Sequence, residues 1–311
     1  MKIALVFPGY GSQFVGMGKE LYDEYRIVQE YFEEASNCSS INFVKLCFAS
    51  SDSEISTLVH AYSSLFVIGG AVFALLKENG ITPDVVMGFN NGETTALFAA
   101  GCFSLPDGLY LINKMCSFFQ EAIDTMDVEV MHVIGRSAQE LEEDFSGINH
   151  DARQLFIAFY NSPFDHIVVG SRGHVGQLRD ILESNNGIKI DYLTPEVGFH
   201  SEMMNGVIDQ FKIYLEKVDF KDLTIPMISG LDGALVTKGE QVKERFIRHM
   251  NEPVNFELVI RALADYDMII VATPAEQLGK MLKKQYPEKT IVTIDKKADI
   301  EAFKELVQSG I

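Results

Sequence analysis

The chain has 311 residues, 47% hydrophobic and 23% charged, which is the balance of a folded globular protein and argues against disorder, a collagen-like repeat or a coiled coil. Its net charge of −18, from 26 basic against 44 acidic residues, repels phosphate backbones, so no nucleic-acid partner is expected. The length calls for a large domain with a smaller one attached, or for two of similar size.

The apolar run Ile3–Phe7, cut by Pro8-Gly9, is too short for a signal-peptide core and reads as a buried first strand. A glycine-rich loop, Pro8–Gly18, follows. Its glycines do not have dinucleotide-fingerprint spacing, because four residues separate Gly11 from Gly16. Leu21, Tyr25, Val28 and Phe32 predict a helix from about Lys19 to Ser36, and a second is expected from Ala61 to Lys77. The apolar stretch inside it, Leu65–Leu76, falls short of the roughly 20 residues that span a bilayer. No membrane segment is therefore expected, and a cytoplasmic location is. Val85–Met87 reads as a short strand turned by Gly88–Glu93 into a helix at Thr94–Ala100, with another helix at Asp107–Thr125.

From Glu129 to Leu193 the predicted order is βαββαβ, the split arrangement of a ferredoxin-like module. Beyond it, helices alternate with strands at Met268–Ala272 and Thr290–Ile294, which favours a mainly parallel sheet covered by helices. The four cysteines have no CxxC spacing and suit a reducing compartment, and the scattered histidines suggest no metal site. The acidic run Glu140–Asp144 reads as a solvated helix face. Met115, Phe118 and Phe119 read as core at helical spacing.

Three stretches carry a resemblance. FPGYGSQFVGMGKEL at Phe7–Leu21, GFNNGE at Gly88–Glu93 and GFHSEMM at Gly198–Met204 are together similar to the malonyl-CoA:acyl carrier protein transacylase family, which includes polyketide synthase acyltransferases. YNSP at Tyr160–Pro163 and EPVNF at Glu252–Phe256 extend the likeness over the whole chain. The resemblance implies an α/β-hydrolase-like core formed by residues 1–127 and 194–311, with a ferredoxin-like subdomain inserted at 128–193. It also implies an elbow serine that takes an acyl group from coenzyme A, a histidine base, and backbone N–H groups binding the oxyanion. The acyl group then passes to a carrier protein's phosphopantetheine thiol. No bound cofactor is implied. Acyl-CoA or a phosphopantetheine thioester would be the ligand, and an acyl carrier protein, with a synthase or ketosynthase, the partner.

The elbow departs from that pattern. Asn90 stands at the serine position, flanked by Phe89 and Asn91. Met115 occupies the place of the arginine that grips a malonyl carboxylate, and a thioether cannot replace a guanidinium. His200 matches the family base. Tyr10 and His249 stand where the family has glutamines, and Tyr10 and Asn91 would supply the oxyanion N–H groups, which do not depend on side chain. Phe89, Met115 and Asn161 would line the substrate site. The residue types also permit plainer roles. Asn90 and Asn91-Gly92 are good turn chemistry, and His249 suits the end of a helix carrying Arg245 and Arg248. Ser12, Thr94 and Cys116 are the nearby hydroxyls and thiol, but none sits at the elbow. The lysine-rich final 32 residues, seven lysines against five acids, offer a basic patch to an acidic carrier protein.

The expectation is an acyltransferase-fold protein that lacks standard malonyl transacylase activity and binds a carrier protein, its acylated arm or a synthase partner. The alternative is an active transferase or hydrolase with His200 as its base and no serine nucleophile.

Overall fold

The computed structural model describes residues 1–148, 154–194 and 200–309. Eleven strands appear in chain order: β1 (Ile3–Phe7), β2 (Val85–Gly88), β3 (Val128–Ile134), β4 (Leu155–Ser162), β5 (Asp165–Ser171), β6 (Lys189–Leu193), β7 (Met227–Ile228), β8 (Leu235–Val236), β9 (Val254–Asn255), β10 (Met268–Ala272) and β11 (Thr290–Ile294). They form two sheets. The larger has the order β11-β10-β1-β2-β7-β8, and every pair in it is parallel except β7 with β8. β1 lies in its middle, and its Ala4–Phe7 side chains are buried on both faces. That placement explains a continuous apolar run where a half-exposed strand would alternate.

Helices cover both faces of this sheet. Leu58–Glu78 is the central one, packed against the helices Arg26–Cys38, Gly92–Ala99 and Leu105–Thr125. At 21 residues it is longer than expected and apolar enough to cross a bilayer, yet 78% of its most apolar window is buried inside the fold. It is apolar all round because it is surrounded. The predicted first helix is two helices, Lys19–Glu24 and Arg26–Cys38, broken at an extended Tyr25. Leu21, Val28 and Phe32 are fully buried on either side of the break, so the apolar periodicity runs through it unchanged. Two unpredicted short helices, Phe43–Ala49 and Asp52–Ile55, start where the Asn42 and Ser51 side chains accept N–H bonds from Lys45 and Glu54.

The smaller sheet has the order β6-β3-β5-β4-β9. Its first four strands are antiparallel, and with the helices Ala138–Ile148 and Arg172–Glu183 they form the expected βαββαβ unit. Met131 and Val133 of β3 face those helices, while Val130 packs on the other face with Phe156, Ala158 and Val169. β9, from the later part of the chain, adds a parallel edge, pairing Val254 with Phe159 and Asn255 with Tyr160.

Candidate functional site

The site forms where β2 meets the helix Gly92–Ala99. A Cβ on Gly88 would lie 2.0 Å from the Gly92 carbonyl carbon, and one on Gly92 would lie 2.6 Å from the Phe7 oxygen. Only glycines let strand and helix approach this closely. Between them Asn90 has φ +50°, the one positive φ outside glycine among the described residues. Asparagine tolerates this left-handed conformation better than most side chains. A strained strand-to-helix turn of this kind presents its central residue at the surface of a sheet.

The two asparagines close the turn on itself. Asn90 Oδ1 accepts the Asn91 N–H at 2.6 Å, and Asn91 Oδ1 accepts the Tyr10 N–H at 2.6 Å. Both expected oxyanion donors are thus present in the backbone, but each already donates to a side-chain oxygen. The expectation that they stand ready for an oxyanion is corrected by these bonds. A backbone N–H requires an oxygen, so the Asn90 amide orientation is fixed by the network and leaves Nδ2 as its remaining donor.

Asn90, Asn91, Glu93, Thr94, His200 and His249 line a narrow cavity of about 30 Å³, closed on its apolar side by Tyr62, Met115, Phe119, Phe246 and Met250. Among the described residues, no lysine or arginine lines it. Lys114, next to Met115, points elsewhere, its ammonium lying over the Tyr214 ring. Arg245 and Arg248 are paired with Asp232 and Glu252. A carboxylate entering the cavity would therefore meet the Glu93 side chain and no guanidinium.

His200 is 6% exposed, with its ring against Phe159 (centroids 4.7 Å apart) and His249 (4.8 Å). Its Nδ1 bonds to the His249 carbonyl, which can only accept, so Nδ1 carries the proton and Nε2 the lone pair. Burial, and secondarily the neighbouring His249, push its pKa down from the ordinary histidine range to about 3. Between pH 6.5 and 3 the unfolded chain therefore binds a proton here that the folded chain refuses. Folding stability is expected to fall on acidification below 6.5, by about 1.4 kcal/mol per pH unit from this one group. Burial lowers His166 in the same sense. Urea unfolding at pH 7, 6 and 5 should show the slope, and His200→Gln should remove one proton's share of it. An unchanged slope in that variant would refute the assignment.

His249 is 5% exposed in the last turn of the helix Gly239–Asn251, and its Nδ1 sits against Glu93 Oε2. Its helix-terminal position is as expected, but it is also buried in the site. Glu93, 1% exposed, lies in the first turn of the helix Gly92–Ala99. Sequence reasoning missed it, because an acidic residue there reads as an exposed complement to the helix dipole. Phe159, too, was not anticipated.

Other expected residues lie elsewhere. Phe89 is not on the cavity. Residues 85, 87 and 89 share one face of the strand, so Phe89 packs with Val85 and Met87 and meets the Phe256 ring at a tilt, 5.3 Å between centroids. Asn161 donates to Asp165 at 2.9 Å across the β4–β5 turn and does not line the cavity. Ser12 lies outside the cavity, and Cys116 lines a separate hollow, its thiol pushed up by burial. Gly198 and Phe199 of the expected histidine motif lie outside the described residues.

A family profile described as the acyl transferase domain matches residues 4–302. The malonyl CoA-acyl carrier protein transacylase of Bacillus subtilis strain 168 is 30% identical over 285 residues, covering 91% of this chain and 90% of that protein. Among solved structures, an acyl carrier protein S-malonyltransferase from Vibrio cholerae O1 biovar eltor superposes with a TM-score of 0.89 at 22% identity, covering 97% of this chain and all of that one (100%). A malonyl-transacylase solved in complex with its type II polyketide acyl carrier protein gives 0.87 at 21% identity, covering 96% and 97%.

Proposed function

The chain belongs to the acyl transferase domain family, and from that premise we propose that it serves fatty-acid or polyketide assembly in the cytoplasm by binding an acyl carrier protein and its thioester-loaded phosphopantetheine arm, without forming an acyl-enzyme. One observation carries the reading. The elbow holds an amide in place of a nucleophile, and the two backbone donors beside it are capped by asparagine oxygens. A double displacement needs a hydroxyl or thiol there and open donors for the oxyanion. The carrier protein as partner is supported by the 30% identity to a malonyl CoA-acyl carrier protein transacylase and by the likeness to a transacylase solved with its carrier protein.

The alternative, an enzyme with His200 as its base, is weakened by the burial that holds this group near 3. A general base works best when its pKa lies near the working pH. The proposal is tested by intact-protein mass spectrometry after incubation with malonyl-, acetyl- and longer acyl-CoA, alongside titration of an isotope-labelled holo carrier protein by NMR. The expected result is no added acyl mass together with saturable carrier-protein shifts. A stoichiometric acyl adduct on the unaltered chain would overturn it.

A further inference from the structure

Four buried polar atoms of cavity-lining residues, Glu93 Oε1 and Oε2, Thr94 Oγ1 and His249 Nε2, have no hydrogen-bond partner among the described residues, although Glu93 Oε2 lies in ion-pair contact with His249 Nδ1. Leaving such groups unpaired inside a fold is unfavourable, so each calls for a partner. A space of about 30 Å³ exceeds the roughly 10–15 Å³ that one water requires, and a buried water makes two to four bonds. The orphaned atoms, their burial and the size of the space agree on a bound water in the unliganded cavity, which side-chain motion must widen to admit an acyl group. Resting on the reading that this site receives a pantetheine-borne thioester, we infer that the cavity holds a water that His249, oriented by Glu93, activates for direct hydrolysis of a short, uncharged acyl thioester polarised by Asn90 Nδ2.

The pieces meet the requirements of such a step. Glu93 Oε2 beside His249 Nδ1 keeps a proton on Nδ1 and leaves Nε2 as the lone-pair nitrogen, the orientation a general base needs. Among the described residues, the charged and titratable groups in contact with the His249 ring are Glu93, from the helix Gly92–Ala99, and His200. His200 already donates through Nδ1 to the carbonyl of residue 249, so it holds the backbone of the base. Asn90 Oδ1 is committed to Asn91, and a side-chain amide in that position replaces the capped backbone donors. In the reaction Nε2 takes a proton from the water while the water oxygen bonds to the thioester carbonyl carbon. The oxyanion is held by Nδ2. The carbon–sulfur bond then breaks, and the leaving thiolate recovers the proton from Nε2. Carboxylic acid and thiol are the products, and no oxidant, metal or acyl-enzyme is involved. Glu93 and Met115 on the cavity wall, with no cation there, select against a second carboxylate such as malonyl's.

Acetyl-CoA is the probe. Release of coenzyme A is followed by chromatography, with acid-quenched samples weighed intact and coenzyme A binding measured by calorimetry. The expected result is turnover above the buffer blank, slower with malonyl-CoA, and no acetyl-protein. His249→Gln, which keeps the backbone carbonyl that serves His200, should lower kcat about 100-fold. Asn90→Asp, which keeps the cap on Asn91 but replaces the donor with an acceptor, should also lower kcat about 100-fold and needs no refolding of the cavity. Glu93→Gln should lower kcat more than about tenfold with KM unchanged, as a positioning residue does. Turnover no faster than the blank, with coenzyme A still bound, would overturn the hydrolytic step and leave the binding proposal standing. Unchanged turnover in His249→Gln or Asn90→Asp would overturn it as well. An acetyl adduct would overturn both proposals.

Discussion

Asn90→Ser is expected to acquire an acetyl-enzyme adduct that the unaltered chain does not form, and Asn90→Ser with Asn91→Ala to acquire it roughly 10²–10³ times faster. The serine substitution has two consequences. It places a hydroxyl on the elbow, and it removes the Oδ1 that caps the Asn91 N–H. The Tyr10 N–H stays capped by Asn91 Oδ1 until the second substitution uncaps it. Each donor in an oxyanion hole is worth about 10²–10³ in rate, so the double variant separates the second donor from the nucleophile. Its base remains a weak one, because burial keeps His200 near 3, and the single variant should therefore acylate slowly. Quenched-flow mass spectrometry with acetyl-CoA gives both rates. Equal rates for the single and double variants would show that the Tyr10 cap does not limit the chemistry.

The second large effect concerns stability. Glu93 and His249 have side chains 2% and 7% exposed, and they face each other inside the fold. Removing the carboxylate strands the buried imidazole N–H, at a cost of about 1–3 kcal/mol. Glu93→Ala is expected to lose that much in urea unfolding. Replacing both, Glu93→Met with His249→Phe, should recover most of it, since apolar groups of similar volume need no partner. A loss of less than about 1 kcal/mol in Glu93→Ala would mean that the pair does not stabilise the fold in this way.

Much of this architecture was legible from the residues. Strands β10 and β11 fall where their β-branched runs place them, and the βαββαβ order emerges from alternating periods alone. The break at Tyr25 was not legible, because it has neither glycine nor proline and both halves bury the same stripe. At the site, Asn90, Met115, His200 and His249 were named from register and all lie on the cavity. Phe89 was placed by adjacency to Asn90, although strand alternation sends it to the opposite face. The mutual capping of Asn90, Asn91 and Tyr10 joins residues 81 positions apart, and no local pattern announces it. Glu93 was hidden for another reason. Its type and helix position suit solvent, and only the burial of its partner, far along the chain, shows that it faces inward.

The two-residue strand β9 acts as a rivet. It follows shortly after His249 and fastens to Phe159 and Tyr160 of the smaller sheet, while the Phe159 ring rests on His200. Swinging the smaller module outward would shear that pairing and drag Phe159 off the imidazole in the same movement. Admission of a ligand by hinge opening would thus dismantle the site it was meant to reach. Side-chain motion at the cavity rim would leave both the strand pairing and the imidazole contact in place, a gate that works by rotamer and not by jaw.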